Sequence, residues 1–193
     1  TIFYLIYTPE SELYNSSICN YYSSISPKII KIKNFDKSII RKVDNFKFKF
    51  AILCEGGECS NYLLEFVKKI IRYKICKNNE IIVSLHPSVA MTNYSLKIIK
   101  GLKLETTTNL NSSISNSQIG IYLSSSSSIN AFDSNLPLIK VITNNIFDCD
   151  NPLEFIKETK HNLLKLDIEL RNEDLKSLKN FILNKKIQYR KNT

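Results

Sequence analysis

The sequence predicts an α/β fold in which a parallel sheet carries helices on both faces. Two observations predict it. Short runs rich in Ile, Leu, Val and Phe recur along the chain, and segments long enough for a helix separate them. A helix between two strands returns the chain to the same end of the sheet, so the strands pair in parallel. The hydrophobic fraction, 43% of 193 residues, is ample for the core of such a fold.

The chain divides into two sections. Residues 1–45 predict a short β-α-β section, with strands over 2–7 and 28–33 and a polar link at its end. Residues 46–193 predict the main domain. Its strands are expected over residues 48–54, 80–85, 102–104, 119–123 and 136–141. Its helices are expected over 59–75, from the serine run to 132, from about 151 through His161, and from 172 onward, and residues 109–117 are expected to form a helix or a turn.

The charge of the chain indicates an anionic partner. The formal net charge is +9, from 27 Lys and Arg against 18 Asp and Glu. A basic balance attracts nucleotides, acidic glycans and anionic lipid. Nucleic acid is not expected, because no patch interleaves Arg with aromatic residues and no recognition motif occurs. The basic tail, residues 185–193, favours peripheral contact with an anionic membrane.

The cysteines indicate a reducing compartment. There are five, scattered along the chain, and no CxxC pair occurs. A metal site needs Cys or His clustered at ligand spacing, so none is predicted. Residues 1–7 lack the basic start of a signal peptide, and no apolar run approaches the ~18 residues of a membrane span. The sequence therefore predicts reduced thiols and a cytoplasmic location.

Two polar motifs close predicted strands, and we expect those strands to be neighbours. The first is Ser84-Leu85-His86-Pro87. Proline keeps the residue before it extended, so His86 projects from the strand end. Its ring can donate to a phosphate oxygen, and histidine is the usual general acid for an oxygen leaving group. The alternative is a turn histidine without a chemical role.

The second motif is the serine run over residues 124–128. Ser126, Ser127 and Ser128 lie closest to the predicted start of the following helix. Free backbone N–H groups and the helix dipole favour an anion at such a place. The alternative is that these serines only cap the helix. Since ligands of open α/β sheets bind at the carboxyl ends of strands, the two motifs together predict one phosphate site.

The two motifs resemble the nucleotide-binding half of certain bacterial glycosyltransferases with two Rossmann domains, the GT-B architecture. The similar features are a strand ending in His86-Pro87, a gap of about forty residues, a strand entering Ser127-Ser128, and a later strand that carries Pro137. This group includes sialyltransferases, polysialyltransferases and Kdo transferases. Glycerophosphotransferases that use CDP-glycerol are similar over the same stretch, roughly residues 46–160.

The resemblance implies a Rossmann-like, nucleotide-sugar-binding domain over residues 46–193 and makes residues 1–45 a remnant of an acceptor domain. It implies that His86 with Pro87, and Ser127 with Ser128, contact the phosphate of a CMP-sugar donor, with Ser126 next to them. No cofactor and no metal are implied, because the donor is a substrate and the histidine and backbone dipoles neutralise its phosphate.

The resemblance also implies an acidic base, and in this group the base lies in the other domain. Three carboxylates are candidates: Glu10 after the first strand, and Glu55 or Glu58 beside the glycine turn. A carboxylate at a strand end can deprotonate a sugar hydroxyl. Gly56-Gly57 places that turn on the rim of the expected cleft, although a tight turn alone explains the two glycines.

Asp133 and Asp150 are candidates for binding the ribose or the base, and each is also explained as a helix-end residue.

The expected function is therefore that of a bacterial, sialyltransferase-like enzyme of capsule or lipooligosaccharide biosynthesis. It would transfer a sugar from a CMP-activated donor to a cell-surface glycan, and homo-oligomer formation is left open. Two alternatives remain at this point: a glycerophosphotransferase that uses CDP-glycerol, and a non-catalytic nucleotide-binding module.

Overall fold

A computed structural model describes residues 3–6, 28–31, 46–143 and 163–191. The side chains of 3–6, 28–31, 133 and 185–191 lie outside this description. The strands are β1 Phe3–Ile6, β2 Lys28–Lys31, β3 Phe48–Leu53, β4 Ile81–Ser84, β5 Glu105–Thr107, β6 Ser117–Tyr122, β7 Leu138–Ile142 and β8 Leu163–Asp167. The helices are α1 Cys59–Arg72, α2 Asn93–Leu102, α3 Leu110–Ser115, α4 Ser127–Asp133 and α5 Asn172–Lys191.

The main sheet has six parallel strands in the order β5-β4-β3-β6-β7-β8. Within this sheet the chain enters at the inner strand β3 and continues outward through β4 and β5. It then returns to the other side of β3 as β6 and continues through β7 and β8. This is the strand order of a Rossmann sheet. The predicted α/β fold with a parallel sheet is confirmed. The direction of winding reverses between β3 and β6, which is where such sheets bind their ligands.

Helices cover both faces of the sheet, as predicted. On β3, Phe50 and Ile52 point to one face, where they pack with buried residues of α1, α2 and α5. Ala51 and Leu53 point to the other face, where they pack with α3 and α4. Because both faces of β3 are buried, its sequence is a nearly continuous apolar run rather than an alternating one.

The first strands of the chain form a sheet of their own. β1 pairs in parallel with β2, from Phe3 opposite Lys28 to Ile6 opposite Lys31. Both strands fall where the sequence predicts them. The expected helix between them and the polar link at residues 34–45 lie outside the described residues.

The sequence prediction was wrong around residue 100. A strand was expected at 102–104, whereas α2 ends at Leu102 and β5 begins at Glu105. The Thr92 side chain caps α2 by accepting from the N–H of Ser95 at 3.1 Å, and Lys103 ends the helix in the left-handed conformation, with φ 52°. β5 is a short edge strand of exposed residues, so it lacks the apolar pattern of the inner strands.

The prediction was also incomplete after β7. Leu163–Asp167 form the edge strand β8, which pairs with β7 and was not predicted from the sequence. The expected helix through His161 lies outside the described residues. The predicted helix from Asn172 is confirmed, and it continues to Lys191 through the first part of the basic tail. In the described part of the chain, no helix combines the length and the apolar content that a membrane crossing needs.

Replacing Gly120 in β6 by alanine is expected to destabilise the fold. The new Cβ would lie 2.7 Å from Cδ2 of Leu138 and 2.9 Å from Cδ2 of Leu136, both of which are buried. Overpacking of this kind costs about 1–3 kcal/mol. Gly101→Ala is the matched control: its Cβ has open space in α2, so alanine should stabilise the helix by roughly 0.5–1 kcal/mol. Urea unfolding measures both, and a Gly120→Ala protein as stable as the wild type would contradict the packing described here.

Candidate functional site

Three polar side chains follow the three central strands at the carboxyl edge of the sheet. Glu55 lies two residues beyond β3, His86 two residues beyond β4, and Ser124 two residues beyond β6. The strands end in step, because Leu53 pairs with Ser84 and Ile52 pairs with Ile121. We call Glu55, His86 and Ser124 the carboxyl-end row. All three are half-buried.

The row corrects one expectation about the two motifs. The strands that carry them were expected to be neighbours, but β3 lies between β4 and β6. The cause is the reversal of winding at β3, which sends β4 to one side and β6 to the other. The His86 motif and the serine run therefore flank Glu55, and Glu55 occupies the middle of the site.

Ser124 binds the Glu55 carboxylate through both of its donor groups. Its backbone N–H donates to Oε1 at 2.7 Å, and its hydroxyl lies 2.9 Å from Oε1 and 2.8 Å from Oε2. Hydrogen bonds to an ionised acceptor are among the stronger ones in proteins. These contacts join the ends of two strands whose residues are 69 positions apart in the chain.

The His86 ring is fixed by its own loop. Its Nδ1 accepts from the backbone N–H groups of Ser88 at 3.1 Å and Val89 at 3.0 Å. In a neutral imidazole the nitrogen that accepts carries no proton, so the neutral form of His86 carries its proton on Nε2. Nε2 has no partner among the described residues and can donate to a ligand. Pro87 is exposed beside it.

The loops after β3 and β4 are joined. The N–H of Gly57 donates to the carbonyl of Ala90 at 3.0 Å, and Gly57 forms a bridge with Met91. Gly56 has φ +82°, and a Cβ there would lie 2.6 Å from the carbonyl oxygen of Val89. Only glycine accommodates both that conformation and that approach. The glycine turn thus ties the loop that carries Glu55 to the loop that carries His86.

The serine run has several roles. The Ser125 side chain is buried and accepts from the N–H of Ser127 at 3.3 Å, and the N–H of Ser128 donates to the Ser125 carbonyl at 3.0 Å. Of the three serines predicted to contact phosphate, Ser126 is exposed and Ser127 is half-buried. Ser128 is fully buried, and its hydroxyl has no partner among the described residues.

The other candidates lie apart from the row or outside the description. Glu58 is exposed just before α1. Asp133 is the last residue of α4. Glu10 and Asp150 lie outside the described residues. Within the described ranges, no three His, Cys, Asp or Glu side chains are grouped so that they could hold a metal ion.

The cysteine thiols of the described chain have raised pKa values. Burial raises the pKa of the Cys54 thiol from 9.0 to about 12, although a hydrogen bond with Ser60 acts against this. Burial also raises the pKa of Cys76 to about 12 and that of the partly exposed Cys59 above its ordinary value. The reactive form of a thiol is the thiolate, and a raised pKa disfavours that form at neutral pH.

No protein-family model matches the chain, and no curated protein is significantly similar to it.

Removing the Ser124 hydroxyl is expected to weaken the fold measurably. Ser124→Ala deletes a hydrogen bond to a half-buried carboxylate, which should cost about 1 kcal/mol of unfolding free energy. Ser126→Ala is the matched control in the same run; its side chain is exposed and makes no cap, so it should change stability by less than about 0.5 kcal/mol. In a double-mutant cycle with Glu55→Ala, which removes the acceptor oxygens, strictly additive losses would contradict the contact.

Proposed function

We propose that this chain binds a CMP-activated sugar and transfers the sugar to a cell-surface glycan, as sialyltransferase-like enzymes do. The observation that carries the proposal is the carboxyl-end row: a carboxylate, a histidine and a serine side by side where the strand order of the sheet reverses. Nucleotides bind at that place in Rossmann sheets. A basic chain favours an anionic donor, since its net charge is +9.

Donor phosphate would lie against His86 and the accessible serines. We expect Nε2–H of His86 to donate a hydrogen bond to a phosphate oxygen, because Nδ1 already accepts hydrogen bonds from two backbone N–H groups. Ser126 and Ser127 can add hydroxyl donors, since both are accessible to solvent. Fixed donors at this place stabilise the charge that develops as CMP leaves, and the proposal requires no metal ion for that purpose.

Glu55 is the base in this proposal. It is the candidate carboxylate that lies in the row, whereas Glu58 is exposed outside it. In the transfer step the acceptor hydroxyl gives its proton to Glu55, and its oxygen forms a bond to the anomeric carbon. The bond from that carbon to the phosphate oxygen breaks, and its electron pair leaves with CMP while His86 donates to the phosphate.

Nucleotide binding tests the donor site. Calorimetry with CMP, CDP, UDP and GDP should show selective binding of CMP. His86→Ala should weaken that binding by roughly 10-fold or more, because a hydrogen bond to a charged acceptor is lost. The matched control is His161→Ala, the other histidine of the chain, which has no motif around it. Lack of binding to every one of the nucleotides would refute the proposal.

Turnover tests the base and the donor class. We expect the protein to release CMP from CMP-sialic acid, with water or a glycan as acceptor, and not to act on CDP-glycerol. Glu55→Gln should lower kcat by about 10²–10⁴-fold, the usual contribution of a general base, whereas Glu58→Gln should retain activity. If Glu58→Gln lost activity and Glu55→Gln retained it, Glu58 would be the base. CMP binding without turnover of either donor would instead indicate a non-catalytic binding module.

A further inference from the structure

We infer that Ser124 is a positioning residue that orients the Glu55 carboxylate and keeps one of its oxygens ready to accept a proton. The inference rests on the proposed function, in which Glu55 is the base. It assigns Ser124 to the base rather than to the donor phosphate. This separates it from Ser126 and Ser127, which belong to the same serine run.

The geometry of the contact is asymmetric. The backbone N–H reaches Oε1 alone, at 2.7 Å, whereas the hydroxyl oxygen is nearly equidistant from Oε1 and Oε2, at 2.9 and 2.8 Å. A serine hydroxyl carries a single proton, so it serves one carboxylate oxygen well at a time. A carboxylate can accept about four hydrogen bonds, which leaves room for a ligand.

This asymmetry gives the two carboxylate oxygens different roles. Oε1 holds the carboxylate in place through the backbone N–H. When the hydroxyl proton also turns toward Oε1, Oε2 becomes the oxygen that can take the proton of the acceptor hydroxyl. The proton passes from the acceptor to Oε2 as the acceptor oxygen bonds to the anomeric carbon. Once protonated, Oε2 can donate to the lone pairs of the serine oxygen.

The backbone around Ser124 is well anchored for this task. The two preceding residues, Tyr122 and Leu123, are 0% and 1% exposed, so the N–H of Ser124 projects from a packed strand end. Replacing the side chain leaves that N–H in place. A substitution at Ser124 therefore tests the hydroxyl alone, and the hydroxyl should affect the chemical step more than donor binding.

The test compares side chains of matched shape at position 124, with CMP release from CMP-sialic acid and CMP calorimetry as readouts. Ser124→Ala and Ser124→Val should lower kcat by about 10–100-fold while KM for the donor and CMP affinity stay within about 2-fold. Ser124→Thr keeps the hydroxyl and should restore kcat to within about 3-fold of the wild type. Ser177→Ala, an exposed serine of α5, should match the wild type.

The valine and threonine variants carry the test if Ser124→Ala does not fold, because they differ only by a methyl group in place of the hydroxyl. Unchanged kcat in Ser124→Val would overturn the inference, as would a rise in KM at constant kcat, which would place Ser124 on the donor. Both results would leave the proposed function intact. A wild-type protein that binds no CMP and releases none would instead refute the proposed function, and this inference with it.

Discussion

The pairing of β3 with β6 is the contact on which the rest of this structure depends. The two strands are distant in the chain, and their pairing joins the half of the sheet that winds toward β5 to the half that winds toward β8. The register of this pairing also fixes which polar residues meet at the end of the sheet: because Ile52 lies opposite Ile121, Glu55 lies level with Ser124. A shift by one residue would turn every side chain of a strand to the opposite face. Because both faces of β3 are buried, such a shift is strongly disfavoured.

Rigid support of the site comes from backbone groups more than from side chains. Two N–H groups fix the His86 ring, one N–H fixes Oε1 of Glu55, and a backbone bridge joins Gly57 to Met91. A backbone group has no side-chain rotamers to lose, so it can hold a polar side chain with little loss of conformational freedom. This explains how the row can hold three polar groups in place with few side-chain partners.

The sequence predicts the inner strands better than the edges. Strands such as Phe48–Leu53 and Ile81–Ser84 are recognisable because burial on both faces leaves a continuous apolar run. The edge strands are harder to recognise: Glu105–Thr107 is three residues long and mostly exposed, and in Leu163–Asp167 only Leu166 is fully buried. The sequence singles out His86 through its proline. It does not predict the contact between Ser124 and Glu55, which depends on the register of two strands far apart in sequence, or the contacts of His86 Nδ1, which depend on the geometry of one loop.

The approach of Gly56 to Val89 has a consequence for how such a site can evolve or be transplanted. The carbonyl oxygen of Val89 stands 2.6 Å from where a Cβ at position 56 would be, so shrinking the side chain at 89 cannot make room for one. The glycine turn and the histidine loop must therefore be inherited together. To graft Glu55 onto another parallel sheet, a designer would have to transfer the loops after β3 and β4 together and keep the spacing between these two strands.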